Sequence, residues 1–181
     1  MKNMKWLALA LGCCLIVPAA MGEALVTQGS HEIAIGGKLD FQSGSGTAFN
    51  LDLRFAYFVI DRLSVGSRVT FGNNDFENHF SGGLLSEYNF RLPAGFRPLF
   101  GTDLVPYVGA LLDYRQAHFS GLDDESAIVL GGEAGLKFFL TDASAITLSL
   151  VGELASEDVY VDDEEVTDKD LNMQIGMRFY F

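Results

Sequence analysis

The sequence predicts an all-β fold, a closed antiparallel transmembrane β-barrel of about eight strands that follows a cleavable signal peptide. Apolar and polar residues alternate with period two in eight separate segments, as expected of strands with one apolar face. After residue 22 no apolar run reaches the 18 residues typical of a membrane helix, although hydrophobic residues make up 49% of the chain. At 181 residues, with no change of composition, the chain has room for one domain.

We predict that residues 1–22 are the signal peptide and residues 23–181 the barrel domain. Lys2 and Lys5 give a positive start, residues 6–17 form an apolar run, and small residues precede the predicted cleavage site, with cleavage after residue 24 as the alternative. A retained anchor is disfavoured because a dozen apolar residues are too few to cross a bilayer. The sequence around Cys13 matches a lipid-modification site less well than the region near residue 22 matches a cleavage site. Both cysteines lie in this segment, which excludes disulfide bonds from the mature chain.

Each predicted strand has an apolar face that suits lipid and an opposite face of small and charged residues. The apolar positions, strand by strand, are Ile33, Ile35, Gly37, Leu39 and Phe41; Phe49, Leu51, Leu53, Phe55 and Tyr57; Leu63, Val65, Val69 and Phe71; Leu84, Tyr88 and Phe90; Val108, Ala110, Leu112 and Tyr114; Ile128, Leu130, Ala134, Leu136 and Phe138; Ile146, Leu148, Leu150 and Leu154; and Leu171, Met173, Ile175, Met177, Phe179 and Phe181. The expected length is 9 to 11 residues per strand, enough for a tilted strand to cross the membrane.

The inward positions carry charges of both signs, and we predict that they form a lumen charge network. An eight-stranded barrel is just wide enough for side chains to fill it, and an unpaired buried charge is unfavourable by several kcal/mol. The opposite reading is a gated polar path or proton relay. The predicted network comprises Lys38, Asp52, Arg54, Arg68, Glu87, Asp113, Glu133, Lys137, Glu153 and Arg178.

Three segments resemble the small outer-membrane-protein β-barrel domain, the general group of the outer membrane proteins A, X and W of enteric bacteria. They are residues 56–66, residues 104–110 and the alternating segment that ends in Phe181. The resemblance covers residues 30 to 181. It implies residence in the bacterial outer membrane as a monomer, with outer-membrane lipid or lipopolysaccharide and the barrel assembly machinery as partners. It further implies that the assembly signal is Met173, Ile175, Met177, Phe179 and Phe181.

For function, we expect a non-enzymatic barrel with a structural role in the envelope or a role in contacts with a surface ligand. A lipid-modifying enzyme similar to the lipid A deacylases is one alternative, because residues 118–120 read His-Phe-Ser and Glu133 could orient the histidine. However, strand parity sends Glu133 inward, so no catalytic residue is predicted. The remaining alternatives are a narrow pore and a soluble ligand-binding barrel.

No cofactor or metal site is predicted. The acidic loop 155–169 could attract calcium or magnesium, but its spacing fits no defined calcium loop. His31 and His79 are expected at or outside strand ends, without a second ligand. Without Lys2 and Lys5 the chain has 10 basic and 24 acidic residues. Nucleic acid is therefore excluded as a partner, because phosphate binding needs a basic face.

Short and long connections alternate, as in outer-membrane barrels with periplasmic turns and external loops. Segments 59–62 and 141–144 are predicted turns, whereas segments 72–79, 115–125 and 155–169 are predicted loops. The short connection near 43–46 and the long segment 91–103 do not fit this scheme. Two aromatic belts are expected: Phe41, Phe49, Phe71, Phe80 and Tyr114 near the outer surface, and Tyr57, Phe90, Phe138, Phe179 and Phe181 near the periplasm.

Overall fold

A computed structural model describes residues 25–43, 46–73, 77–92, 103–119, 124–162 and 165–181. The predicted signal peptide and most of segment 91–103 lie outside these ranges. Among the described residues no helix is long and apolar enough to cross a membrane. The strands are β1 (His31–Ser43), β2 (Gly46–Ile60), β3 (Leu63–Asn73), β4 (Glu77–Asn89), β5 (Asp103–Phe119), β6 (Glu125–Thr141), β7 (Ser144–Ala155), β8 (Tyr160–Asp162), β9 (Glu165–Thr167) and β10 (Lys169–Tyr180).

Eight of these strands close into one antiparallel barrel, which confirms the predicted all-β barrel of about eight strands. The order around the barrel is β1-β10-β7-β6-β5-β4-β3-β2. Closure occurs between the first and last strands, where Glu32 pairs with Tyr180 and the register continues to the pair Gly37 and Ile175. Because the number of strands is even, both ends of the barrel chain lie at the same end of the barrel. We call this the lower end and the opposite one the upper end.

Period-two alternation places the predicted apolar faces on the outside of the barrel. Leu84, Leu130 and Ile175 are each more than 60% exposed, whereas inward charged side chains such as Asp52 and Glu133 are buried. This is the reverse of a soluble globular protein, in which large apolar side chains are removed from water. The outer wall is thus suited to lipid and the lumen to polar contacts.

Both predicted aromatic belts are present among the side chains that the structure describes. The side chain of Phe41, a predicted member, is not part of that description. Near the upper end the rings of Phe71 and Phe80 lie 5.1 Å apart. Near the lower end the ring of His31 stacks on Phe181 at 5.5 Å and also contacts Tyr57. His31 is therefore part of the lower belt, which its position at a strand end did not indicate.

Seven of the eight barrel strands are longer than the 9 to 11 residues expected, because several continue past the upper belt. β3 has 11 residues, and β5 and β6 have 17 each. The predicted loops 72–79 and 115–125 are consequently strand for much of their length. His79 lies within β4 rather than outside a strand end, and its Nε2 is 3.1 Å from the side-chain nitrogen of Asn50.

Two turns at the lower end are as short as predicted. Residues 61–62 join β2 to β3, and residues 142–143 join β6 to β7. Arg62 has a φ of 69°, an uncommon conformation for a residue other than glycine. Its amide donates a hydrogen bond to the carbonyl oxygen of Val26 at 2.8 Å. The turn therefore also positions the chain segment that precedes β1.

Two pieces of chain outside the barrel wall cover the barrel ends. The segment formed by residues 25–30 lies across the lower end. At the upper end, the predicted acidic loop 155–169 contains the hairpin of β8 and β9, which pair with each other and not with a barrel strand. The sequence did not predict either arrangement.

Candidate functional site

The lower half of the lumen holds a tight network of ion pairs, the lower network, formed by Glu32, Glu87, Glu133, Lys137 and Arg178. Lys137 Nζ lies 3.0 Å from Glu32 and also contacts Glu87. Arg178 Nη1 lies 2.5 Å from Glu32 and 2.7 Å from Glu87. Each cation thus bridges the same two carboxylates. Such charge-assisted contacts are the strong class of hydrogen bond.

Tyr107 supports the lower network from within the lumen. Its hydroxyl donates to Glu133 Oε1 at 2.6 Å. The Lys137 Nζ and the Arg178 guanidinium carbon lie 5.0 Å and 4.7 Å from its ring centre. A cation at this distance over a ring face is attracted by the ring quadrupole. The aromatic ring therefore occupies space that water would otherwise need to fill around two buried cations.

Arg54 links the lower half of the lumen to the upper half. Its guanidinium contacts Asp52 through two nitrogens, at 3.1 Å for Nε and 2.8 Å for Nη2. Its Nη1 contacts Glu133 at 2.5 Å, and Nη2 also reaches Gln174 at 3.3 Å. One planar cation thus joins carboxylates from β2 and β6 across the lumen. Arginine suits this role because its five donors have a fixed geometry.

The upper network, formed by Asp52, Arg68, Asp113 and Glu153, is looser. Arg68 lies 3.1 Å from Glu153, 3.3 Å from Asp113 and 3.8 Å from Asp52. Its Nε and Nη1 are buried without a hydrogen-bond partner, as is Oδ1 of Asp113. Buried polar atoms in native proteins are nearly always satisfied by protein or ordered water. The upper network therefore keeps buried polar atoms that bound water could satisfy.

One small cavity lies beside the link between the two networks. Its volume is about 20 Å³, and Arg54, Glu133, Gln174 and Arg178 contribute to its lining. A single water molecule needs roughly 10 to 15 Å³ of such space. The cavity thus suits one or two bound waters and not a column of bulk water.

The lower end of the lumen is closed by apolar packing around Val26. This residue is 3% exposed and packs with Phe58, Val105, Phe139 and other buried apolar side chains. The amide of Leu25 donates to the Asp142 carbonyl at 3.1 Å, so segment 25–30 is bonded to both lower turns. An apolar layer therefore separates the lower network from the lower mouth.

The upper end is closed by Val159 and Tyr160. Both are buried against Ala117, Ala127 and Val129 of the barrel wall. The hydroxyl of Tyr160 donates to Glu153 Oε2 at 3.1 Å. Burial and the neighbouring carboxylate raise the pKa of the Tyr160 phenol well above its ordinary value, so the group stays a donor. The hairpin thus covers the upper network from outside.

Nine of the ten residues of the predicted charge network line the lumen. They all belong to the two networks or to the link between them. The exception is Lys38, whose side chain lies outside the described part of the chain. Its backbone pairs with Asn50 on β2, at a register position that matches the inward face. The four predicted cations other than Lys38 each lie within 3.1 Å of an inward carboxylate.

Sequence reasoning left several lumen residues out of the network. Glu32 shares the inward parity but was not included in the predicted network, and Arg115 fell within the predicted loop 115–125. In the structure Glu32 contacts both cations of the lower network, and the Arg115 guanidinium carbon lies 4.4 Å from the centre of the Tyr160 ring. Tyr107 also lies at an inward position of its strand by alternation. Extending the same alternation past residue 114 would have placed Arg115 on the inward face.

The candidate catalytic arrangement of residues 118–120 with Glu133 is not assembled. His118 is exposed and its Nδ1 contacts Asp124, whereas Glu133 is buried in the lumen against Arg54 and Tyr107. Ser120 lies outside the described residues. Across the ranges that the structure covers, no group of three or more His, Cys, Asp or Glu side chains is placed to hold a metal ion. The site that the structure describes is therefore the closed lumen itself.

Comparison with solved structures places this architecture among known barrels. The N-terminal β-barrel domain of OprF from Pseudomonas aeruginosa is similar with a TM-score of 0.61 and 21% identity, over 85% of this chain and 98% of that one. Neisserial surface protein A (NspA) is similar with a TM-score of 0.56 and 18% identity, over 84% and 95%. For OprG, also from Pseudomonas aeruginosa, the TM-score is 0.51 at 17% identity, over 88% and 99%.

These likenesses concern the fold, since all three identities are low. No family model matches the chain, and no curated protein sequence matches it. The barrel closure, the outward apolar wall and the structural matches nevertheless agree on one architecture. The chain has the fold of the small eight-stranded bacterial outer-membrane β-barrels.

Proposed function

We propose that this protein is a non-enzymatic outer-membrane β-barrel with a side-chain-filled lumen, which acts in envelope structure or in surface contacts. The observation that carries the proposal is closure of the lumen at three successive levels. An apolar layer around Val26 lies below, paired charges occupy the middle, and Val159 with Tyr160 lies above. A barrel filled in this way contributes a rigid wall and external loops rather than a path for solutes.

The three levels differ in the barrier that they present to ions. Paired charges such as Arg178 with Glu32 would have to separate before a hydrated ion passed, and separating a buried pair is costly. The apolar layer adds a barrier of another kind, because it offers no polar group to replace an ion's hydration shell. A narrow pore would have to open both barriers together.

Residence in the outer membrane is supported by the outer wall and by the fold. Large apolar side chains cover the wall, and aromatic rings lie at both of its edges. The wall would contact lipid and lipopolysaccharide, and no interface with a second copy is needed to explain it, so we propose a monomer. Fractionation tests residence: the protein should appear in the outer-membrane fraction and migrate differently on gels before and after boiling. Recovery as a soluble protein without detergent would contradict it.

Conductance measurements test the closed lumen. The purified barrel, inserted into planar bilayers, should give no steady unit conductance, whereas a boiled sample gives the background. Reproducible single-channel steps from the folded protein would contradict the proposal. They would favour the narrow pore, the alternative to which the unsatisfied atoms of Arg68 and Asp113 point.

We also propose that the last strand is the signal read by the assembly machinery. Its outward residues are apolar and end in an aromatic residue, and they are Met173, Ile175, Met177, Phe179 and Phe181. Deletion of Phe181 should lower the amount of folded protein in the outer membrane, whereas the outward substitution Leu84→Ala in β4 should leave it unchanged. Normal amounts of the folded deletion variant would contradict this role.

A further inference from the structure

The hairpin of β8 and β9 closes the upper mouth without belonging to the barrel wall. Tyr160 pairs with Thr167 and Asp162 with Glu165 inside the hairpin, and neither strand pairs with a barrel strand. Backbone hydrogen bonds near its base join Ser156 to the Ile128 carbonyl at 3.0 Å and Ala155 to the Asp168 carbonyl at 2.7 Å. Val159 and Tyr160 are therefore held in the mouth by their side chains.

The barrel wall provides a socket for the Tyr160 ring with three distinct features. Small apolar side chains, Ala117 and Ala127 among them, form its sides. The guanidinium of Arg115 lies over the ring face, 4.4 Å from the centroid. At the far end Glu153 accepts the hydrogen bond of the hydroxyl at 3.1 Å. An apolar wall, a cation over the face and an acceptor at the hydroxyl are together selective for a phenol.

The socket does not depend on the hairpin for its polar groups. Arg115 belongs to β5 and Glu153 to β7, both strands of the closed barrel. Glu153 is further held by Arg68, whose Nη2 lies 3.1 Å from Oε1. With the hairpin in place, the side chains of Arg115 and Glu153 are both more than nine-tenths buried. If the hairpin moved away, the barrel would keep these recognition groups in place, and such preorganisation favours binding.

We propose that the upper mouth is a binding site for small phenols, which the chain's own Tyr160 occupies. An external phenol would compete with a tethered side chain, whose effective concentration is in the millimolar range or higher. Binding would therefore displace Tyr160 and expose the hairpin, so that ligand binding changes the surface that the barrel presents. This role does not depend on whether the lumen conducts.

The test removes the Tyr160 side chain and adds a free phenol that could take its place. The variant Tyr160→Gly, folded in detergent micelles, is titrated with 4-methylphenol and binding is followed by ligand-observed NMR. Saturable binding is expected to the variant at low concentrations of 4-methylphenol, and to the wild-type chain only at much higher ones, because the tethered Tyr160 side chain competes for the socket. Toluene, which has the same shape without the hydroxyl, should bind about tenfold more weakly because the hydrogen bond to Glu153 is lost. Tyr160→Phe is the matched control: its ring still fills the socket, so it should bind 4-methylphenol more weakly than Tyr160→Gly, but it should be displaced more easily than the wild-type side chain because it lacks the hydrogen bond to Glu153.

Three results would overturn the proposal. The first is a folded Tyr160→Gly variant that shows no saturable binding. The second is equal binding to the variant, to Tyr160→Phe and to the wild type, which would mean partition into detergent only. If Tyr160→Gly does not fold, Tyr160→Ala replaces it, because alanine adds no backbone freedom. The third result is failure of both variants to fold, which would make Tyr160 part of the folding core rather than a removable occupant.

Discussion

The two halves of the lumen both bury charged side chains, but they pair these charges to different degrees. In the lower network Lys137 and Arg178 each contact Glu32 and Glu87 at 3.0 Å or less, and Arg178 also lies 3.8 Å from Glu133. In the upper network Arg68 reaches its three carboxylates at 3.1 to 3.8 Å and keeps two nitrogens without a hydrogen bond. Two equally buried arginines can therefore differ in how many of their hydrogen bonds are made.

The surroundings account for this difference. The lower network lies between the apolar layer around Val26 and a second apolar group that contains Leu85, Leu111 and Val151. The charges there satisfy one another directly, and space for one or two waters is found only on the side of Glu133 and Arg178 in the described part of the lumen. The upper network lies nearer the mouth, below a hairpin whose described backbone hydrogen bonds to the barrel lie near its base, and bound water could complete the hydrogen bonds of Arg68 and Asp113. If the two halves are unequally hydrated, matched substitutions in them should lower the free energy of unfolding by different amounts.

The largest expected effect comes from removing one cation from the lower network. Arg178→Met leaves Glu32 and Glu87 with Lys137 alone, and breaking a buried ion pair typically costs about 3 to 5 kcal/mol. Arg68→Met is the matched control, because both arginines are 3% exposed. We expect a loss of about 1 to 2 kcal/mol for Arg68→Met, since water can solvate the carboxylates that it leaves. Urea unfolding in detergent measures both, and equal losses would contradict the unequal hydration of the two halves.

The link between the halves should give the next largest effect. A double-mutant cycle with Arg54→Met and Glu133→Gln isolates the contact that joins them, whose atoms lie 2.5 Å apart. Residues in one hydrogen-bonded network couple by about 0.5 to 3 kcal/mol, and we expect the upper part of that range. A coupling energy near zero, measured by the same unfolding experiment, would mean that the two networks are energetically independent.

The sequence predicted which side chains enter the lumen better than which ones meet there. Parity alone placed Asp52 and Lys137 inside, because period two leaves a side chain only two faces to occupy. Contacts across the lumen depend on strand tilt and on the stagger around the barrel, and no single strand encodes these. That is why Glu32, a neighbour of Arg178 across the seam between β1 and β10, was not assigned as its partner.

The two closures of the barrel were not predictable for a different reason. Segment 25–30 and the hairpin of β8 and β9 are short and lack a clear period. They are ordered by what they cover, since Val26 and Tyr160 become buried only against side chains from several distant strands. Tertiary packing of this kind leaves little local signal, so the hairpin fell within the predicted loop 155–169.

The lower closure should contribute a smaller amount to stability than the networks. Val26→Ala removes two methyl groups from a buried apolar site, and we expect a loss of about 1 kcal/mol together with faster hydrogen exchange at the Arg62 amide. Val59→Ala is the matched control, because Val59 lies near the same end on the outward face and is 36% exposed. If both variants unfold at the same urea concentration as the wild type, the apolar layer does not stabilise the barrel.

The smallest effect is expected at the contact between His118 and Asp124, which lies outside the lumen. Both side chains are more than two-thirds exposed, and exposed ion pairs contribute at most about 1 kcal/mol because water screens them. Asp124→Asn should therefore change the free energy of unfolding by less than about 0.5 kcal/mol, whereas Arg178→Met changes it several-fold more. The two variants compare an exposed contact with a buried one. A large loss for Asp124→Asn would show that exclusion of water does not decide the strength of charge pairs in this barrel.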